Sequence, residues 1–491
     1  MENQFVKQFA TLAVGVFLSA VSVGQTAFYK VYSGNGYDKG EGIAQLPDSG
    51  FLVTGSSSSF EDAPSQVFLM RLDSTGAFKW SKAYGGIEFE EGKRVMPVPG
   101  FGYYLAGTSS SGPSANFDAY LLFTNETGDQ QWEVRTDQGA WERVHDAILM
   151  ADTSVMIIGE TDSTENGNID LFAARYDKLG GLIWKQQWGT DHDDFGKAIV
   201  SISDTTVLIA GTYYVADSAQ NKGYVAKMHI DGSIIWEETY GSQGDYWLND
   251  ICTVGPNIKV IGERIKTGKT DQDGFFAHIQ SDGTLSYAEE YYSEANIRNM
   301  AFTPYTAGVD KFFMAEQAIN PNIPTFEDGE DAYVSRFNSG LFWDNYGVGY
   351  NGVGQDQIND IRPTSDGYAV LVGFHTTYGP GGNSVFVVKL GNDYAFPASS
   401  SNPPIINIVF LEDLVALKAL QVYPNPVTDQ LTISIEETAF DYALLDASGK
   451  QLLSGHSWSA QQLDFSQQAA GVYFLRISHD SGETAVVKLV K

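Results

Sequence analysis

The chain is 491 residues long and carries 61 Asp+Glu against 30 Lys+Arg, a net charge of −31. With 13% aromatic and 43% hydrophobic residues it is too apolar for a disordered acidic tail. A single cysteine excludes a disulfide framework and a cysteine-based zinc site, and the charge would repel a phosphate backbone, so no nucleic-acid partner is expected. The length allows about three ordinary domains, or one large repeat array with a smaller unit.

Residues 1–25 read as a signal peptide. Lys7 supplies a positive start, Phe9 to Val23 form an apolar run, and the small residues Ser22 and Gly24 precede Gln25. A run of about 15 residues is short for a membrane helix, which needs about 20. No other segment is apolar enough to span a bilayer, so the mature chain is expected to be exported without a transmembrane segment.

Residues 26–396 repeat. An aromatic residue heads a recurrent phrase at Tyr29, Trp80, Trp132, Trp184, Trp236, Tyr287 and Trp343, at intervals of 51, 52, 52, 52, 51 and 56. A small residue recurs at Gly55, Gly107, Gly159, Gly211, Gly262, Ala315 and Gly373, and a turn glycine lies four residues before most of the aromatics. In the fourth copy the unit resolves into four short strands, Ala198–Ile202, Val207–Tyr213, Gly223–His229 and Ile234–Tyr240. Four strands in about 52 residues predict a β-propeller blade. The expected fold is all-β: a seven-bladed β-propeller with four strands per blade, followed by a small immunoglobulin-like β-sandwich. The first aromatic phrase precedes any complete blade, so Phe28–Tyr32 is expected to form the outermost strand of the last blade and close the ring. The aromatic heads are read as blade-to-blade packing.

Counting 17 residues back from each marker glycine gives Asp38, Glu90, Glu142, Asp194, Asp245 and Asp356, with Arg298 at the sixth copy. These carboxylates must recur around the ring just ahead of the innermost strand. One reading is structural, with each acid accepting hydrogen bonds from loop amides. The other is an acidic rim at the channel mouth that holds cations or a polar ligand, calcium being the candidate ion.

Common catalytic motifs are absent: there is no GxSxG, HExxH or Walker loop. His229 and His278 precede turn glycines, so repeat position accounts for them, and Cys252 reads as a small core residue. No catalytic, cofactor or metal residue is assigned. The phrase Leu72-Asp73-Ser-Thr-Gly76-Ala-Phe-Lys-Trp80 resembles the tryptophan-docking repeat of quinoprotein dehydrogenases, with looser versions at Asp177, Gly180 and Trp184 and at Asp231, Gly232 and Trp236. Those enzymes typically have eight blades and many carry an adjacent Cys pair, which this chain lacks. The resemblance implies propeller architecture and not redox activity.

Residues 397–420 begin with the Pro- and Ser-rich PASSSNPP and read as a linker. From Gln421 to Lys491 the chain becomes short alternating strands, a small β-sandwich. Its motif residues are Tyr423, Pro424, Asn425 and Pro426, then Gly449, then Gly471 and Tyr473, and the basic end Lys488 and Lys491. In this order and spacing they resemble the C-terminal sorting domain of the type IX secretion system. The resemblance implies passage across the outer membrane of a Bacteroidota-type bacterium by contact with that machinery, with release or attachment at the surface.

The expected function is a secreted or surface-attached binding or adhesion module for a glycan or a surface protein. The variable segments Ser56–Ser59, Ser109–Gly112 and Asn320–Asp331 are where recognition would sit. The competing readings are a polysaccharide-active or quinone- or metal-dependent propeller enzyme, and a structural surface-layer component.

Overall fold

The computed structural model describes residues 27–60, 63–112, 116–136, 139–162, 167–254, 257–291, 296–305, 311–319, 331–338, 343–350, 354–376, 382–391, 405–407, 421–423, 427–434, 440–446, 450–457, 461–479 and 484–491. The signal-peptide segment lies outside them. Six four-stranded antiparallel sheets and then three strands of a seventh follow one another along the chain: blades 1 to 7 occupy residues 38–84, 90–135, 142–188, 195–240, 245–291, 296–350 and 356–389.

The seventh blade takes its fourth strand from the other end of the chain. Phe28–Ser33 pairs antiparallel with Ser384–Lys389, with Tyr32 opposite Val385. Ring closure by the first strand is therefore as the offset of the aromatic phrases predicts. Within the segment read as a linker, Ile405–Asn407 adds a fifth strand, parallel to Val31–Ser33. The outer edge of that blade is thus covered by the chain itself.

Burial explains the strand sequences. The second and third strands of a blade are packed on both faces, and Val155–Thr161 and Asp170–Tyr176 are buried at every residue. Outer strands have one face toward water, and Leu182–Trp188 has no fully buried residue. Each of the seven blade-to-blade interfaces has its own apolar cluster. Leu52, Leu69, Val95 and Leu105 join blades 1 and 2, and Cys252 lies buried between blades 5 and 6.

The aromatic heads lie near the start of the outer strands, and most of those in the described interfaces lean on the next blade. A Cβ added to Gly128 would lie 2.9 Å from the Trp80 ring, and one on Gly180 would lie 2.9 Å from Trp132. Trp184 Nε1 donates to the Ile230 carbonyl at 2.8 Å, and Trp236 Nε1 to Ser281 at 3.2 Å. The turn glycines thus have two reasons to be glycine: a positive φ, +82° at both Gly128 and Gly180, and a ring pressed against the turn. Acidic or Asn side chains brace these turns: Asp73 accepts from Thr75 and Ala77 amides, and Asp177 from Leu179 and Gly181.

Residues 421–491 form a three-stranded sheet (Gln421–Tyr423, Gln430–Ser434, Gln461–Asp464) and a four-stranded sheet. Both contribute to one core that includes Leu431, Ile433, Leu463, Phe440, Leu444, Leu475 and Ile477, the arrangement of a β-sandwich. Tyr473 is buried in it, and its hydroxyl donates to the Ala469 carbonyl at 2.7 Å. The main chains of Gly471 and Lys491 exchange two hydrogen bonds of 2.9 Å, and Lys491 Nζ donates to the Phe465 carbonyl. Tyr423 is exposed, and Lys488 sits in the last strand, Thr484–Val490. Pro424, Asn425, Pro426 and Gly449 lie outside the described residues.

Candidate functional site: the central channel

The inner strand of every blade contains a one-residue bulge, opposite or next to the small marker residue of the second strand. At the marker the two backbones approach so closely that a Cβ on Gly107 or Gly159 would lie 1.9 Å from the carbonyl oxygen of Glu91 or Arg143. Only glycine fits, because the obstacle is backbone. The sixth blade has Ala315 because its bulge has slid by one residue, so Ala315 pairs with Ala301 beyond the irregularity.

The bulge turns one extra side chain per blade toward the axis: Glu41, Lys93, His145, Lys197, Asn249, Met300 and Asn359. All seven line one cavity of about 190 Å³, together with Arg94 and Asp250. The sequence reading missed this ring because its members share no residue type. A constant spacing could have found most of it: in five blades the residue lies 14 positions before the marker glycine.

Charges in the channel are arranged in two tiers. In the first, Lys93 Nζ lies 3.0 Å from Glu41 and 2.8 Å from Glu91. Burial pushes the Glu41 carboxyl up against the pull of Lys93. For Glu91 the pull of Lys93 outweighs burial, and its carboxyl is held below the ordinary value. His145 Nε2 lies 2.9 Å from Glu160, and Lys197 Nζ lies 3.0 Å from the same ring nitrogen and 3.3 Å from Glu160. Burial and the neighbouring Lys197 push His145 down to about 4, so the ring is neutral at pH 7.

In the second tier, Arg94 joins Asp146 of blade 3 to Asp360 of blade 7. Three aspartates also stitch alternate blades to their successors: Asp146 accepts the Ile199 amide, Asp250 that of Phe302, and Asp360 that of Ile43. Burial raises the Asp250 carboxyl to about 6, partly offset by Arg362 and Arg94.

The carboxylates singled out by sequence sit farther from the axis. Asp38, Glu90, Glu142, Asp194 and Asp356 are each at most 2% exposed. Asp38 accepts the Gly34 amide at 2.7 Å and the Ser57 and Ser59 hydroxyls. Glu90 takes Ser109 and Ser111, Glu142 takes Thr136 and Lys185, and Asp194 takes the amides of Thr190 and Tyr214. The serines of two segments read as variable loops are therefore partners of these acids. Residues 320–330 lie outside the described residues.

In the fifth blade the count of 17 runs one residue too far, because the first hairpin there is one residue tighter. The position facing the second strand at this level is Tyr246, paired with Arg264, while Asp245 accepts the Asn221 amide at 2.8 Å. Tyr246 donates instead to Glu290 at 2.6 Å, so an outer-strand carboxylate replaces the missing inner one. Arg298 faces Gln317 and lies 3.5 Å from Glu263. Among the described residues no group of three or more His, Cys, Asp or Glu is placed to hold a metal ion. No described helix is long and apolar enough to cross a membrane.

The face on which the inner strands begin carries several aromatic rings. Phe89, Phe117 and Trp141 form an edge-to-face chain with centroids 5.7 and 6.3 Å apart. The Arg143 guanidinium lies 5.3 Å from both the Phe117 and the Trp141 rings. His192 stacks on Tyr214 at 3.7 Å, and Tyr37 is 65% exposed.

Residues 421–491 match the family described as the secretion system C-terminal sorting domain. The curated proteins contain no match to the chain. Among solved structures, the chain is similar to PorZ of Porphyromonas gingivalis, described as an essential bacterial surface component of the type-IX secretion system. That likeness has 9% identity and a TM-score of 0.40, and covers 93% of this chain but 59% of PorZ. The β-propeller domain of the trilobed protease from Pyrococcus furiosus aligns at 10% identity over 76% of this chain and 99% of that one, with a TM-score of 0.41. Puromycin hydrolase aligns at 10% identity over 84% and 62%, with a TM-score of 0.46. The seven closed blades and the sorting domain together define a β-propeller protein that type IX secretion delivers to the cell surface or the extracellular space.

Proposed function

We propose that the ring is a non-catalytic binding module that holds a glycan at the mouth of its channel, on the face where the inner strands begin. The observation that carries this reading is the set of exposed aromatic rings on that face, among them Tyr37 and Phe89, in a ring whose channel is lined by charged side chains. Sugar rings present apolar C–H faces and a rim of hydroxyls. Flat aromatic surfaces beside fixed polar groups complement both. Rings of this size left in water on a rigid scaffold are a surface feature that fits a partner better than it fits solvent. The buried carboxylates Asp38, Glu90 and Glu142 support the reading indirectly, since they fasten the loops that display the rings.

Thermal unfolding of the full chain against a panel of polysaccharide fragments tests this, with calcium and EDTA as separate arms. A ligand that binds only the folded state at 100 times its dissociation constant adds about 2.7 kcal/mol. The expected result is a rise in Tm with at least one glycan that disappears in Trp141→Ala and Tyr37→Ala. A panel with no shift, alongside capture of a surface protein by the same face, would replace the glycan with a protein partner.

A further inference from the structure

Positive charge is scarce in this chain, 30 Lys+Arg against 61 Asp+Glu, yet four cations stand on the inner strands of three consecutive blades. They are Lys93 and Arg94 on blade 2, Arg143 on blade 3 and Lys197 on blade 4. Their partners are unequally shared. Lys93 contacts two carboxylates, and so does Arg94. Among the described residues Lys197 pairs with one carboxylate, Glu160, at 3.3 Å, and shares it with His145. Arg143 makes no ion pair among the described residues, and its Nε is buried without a hydrogen-bond partner.

We propose that Arg143 and Lys197, with His145 beside Lys197, bind the carboxylate of an acidic sugar at the channel mouth. This rests on the glycan-binding reading and names the class of glycan. A guanidinium offers a planar fork that matches a carboxylate, and an ammonium beside it supplies a second charge-assisted hydrogen bond. The neutral His145 ring can hydrogen-bond to the same group without adding charge. Trp141 and Phe117, which lie against Arg143, give the pyranose ring a surface to rest on.

Two electrostatic features agree. Burial and the nearby cations lower Lys197, the cations being Lys93 and Arg143, and burial together with Lys197 lowers His145. A cluster whose members disfavour one another's charge is relieved by an incoming anion. Glu41 and Asp250 line the cavity that holds Lys197 and His145, which favours a singly charged carboxylate over a doubly charged phosphate monoester. The overall charge of −31 does not prevent this, because at physiological salt the screening length is about 8 Å and only the local cations act on the bound group.

The test is calorimetric titration of the full chain with oligogalacturonate, alginate and hyaluronan fragments, each beside its carboxyl-reduced counterpart. Sodium acetate and an acidic peptide form two further arms. At least one acidic fragment is expected to bind roughly 10-fold or more tightly than its reduced form, the worth of a charge-assisted hydrogen bond. Arg143→Met and Lys197→Met should abolish that preference, while Lys197→Arg keeps most of it and the exposed Lys178→Met leaves it unchanged. Melting curves of each variant separate lost binding from lost folding.

Equal binding of acidic and reduced fragments overturns the carboxylate assignment and leaves the glycan-binding reading standing. Reduced fragments binding alone does the same. Acetate binding as tightly as any saccharide makes this a site for small free anions, and preference for the peptide makes it a protein site. No binding of any fragment overturns the assignment together with the reading on which it rests.

Discussion

Arg94 of blade 2 lies 2.8 Å from the Asp360 carboxylate of blade 7, and it also holds Asp146 of blade 3. One guanidinium thus ties blades that are not neighbours in the ring. Both carboxylates are almost fully buried, at 4% and 2% exposure. Removing the arginine leaves two acids in the channel with less compensation, and a broken buried pair costs about 3–5 kcal/mol. Arg94→Met should fall at the lower end, because Arg362 remains 2.9 Å from Asp360 and the Ile43 and Ile199 amides still donate to the two acids. Burial raises the Asp360 carboxyl, but Arg362 and Arg94 outweigh it and hold it below its ordinary value. Its contribution is therefore complete above the unfolded carboxylate range and is lost as pH falls through the lower folded value. Denaturant unfolding at pH 7 and below pH 3 checks both parts: a large gap between wild type and variant at pH 7, closing in acid.

The marker glycines make a second prediction. Gly107→Ala and Gly159→Ala each place a methyl group 1.9 Å from a backbone carbonyl oxygen, which no side-chain adjustment can relieve. Each should destabilise by about 2–4 kcal/mol, within the range for forced backbone strain. Ala315→Gly in the sixth blade should cost under about 1 kcal/mol, the conformational penalty of glycine in a strand. Equal losses at all three positions would mean that the sliding of the bulge in blade 6 does not create the room seen there.

The propeller was legible because its repeated contacts need particular residue types at fixed spacing. Trp80 requires a glycine in the turn it leans on, and Gly107 requires the absence of a Cβ, so both leave a periodic trace. Ring closure was legible from the offset between Tyr29 and the first complete blade. The channel was not, because a bulge needs only an extra residue and accepts Glu41, Lys93, His145 or Met300 equally. The acid series was legible as a pattern, but its counting slipped in blade 5, where a tighter hairpin puts Tyr246 at the position opposite Arg264. The fifth strand at Ile405–Asn407 left no signal, since three apolar or polar residues after two prolines carry no period.

Ring closure can be measured through Tyr32. Its hydroxyl donates to the Gly76 carbonyl at 2.6 Å, from the outer strand of the last blade to the turn of the first. The same bond recurs within the ring, from Tyr84 to Gly128 and from Tyr240 to Gly283, both at 2.6 Å. Tyr32→Phe should cost about 1 kcal/mol, the net worth of one hydrogen bond. Tyr84→Phe should cost a similar amount if the non-covalent seam is as firm as an ordinary blade interface. A much smaller loss at Tyr32 than at Tyr84 in equilibrium unfolding would identify the seam as the place where the ring opens first.

Glu142 tests what the outer ring of acids does. It is 1% exposed and is held by Lys185 and Thr136. Glu142→Gln leaves the Lys185 ammonium without its carboxylate and should lower stability by about 3 kcal/mol, as for other broken buried pairs. The loss should be the same in calcium and in EDTA. A wild-type melting temperature that rises with calcium, and a variant that has lost that rise, would instead make this acid part of an ion site.

Asp250 gives the opposite pH dependence from Asp360. Burial raises its carboxyl to about 6, above an ordinary value near 3.8. Between those two values the folded protein binds a proton that the unfolded chain has released, so stability falls as pH rises through that window. A shift of two units corresponds to roughly 3 kcal/mol as an upper bound. Asp250→Asn keeps an oxygen to accept the Phe302 amide, now 2.9 Å from the carboxylate, and has no charge to bury. The variant should match wild type near pH 4 and exceed it by about 1–2 kcal/mol at pH 8, less than the bound because Arg94 and Arg362 lose a counter-charge. Unfolding curves at half-unit steps from pH 4 to 8 decide it: a wild-type decline between about pH 4 and 6 that levels off above it, and is absent from the variant, supports the buried acid. Parallel curves would mean that Asp250 titrates as an ordinary carboxylate and that the channel is wetter at that level than its packing implies.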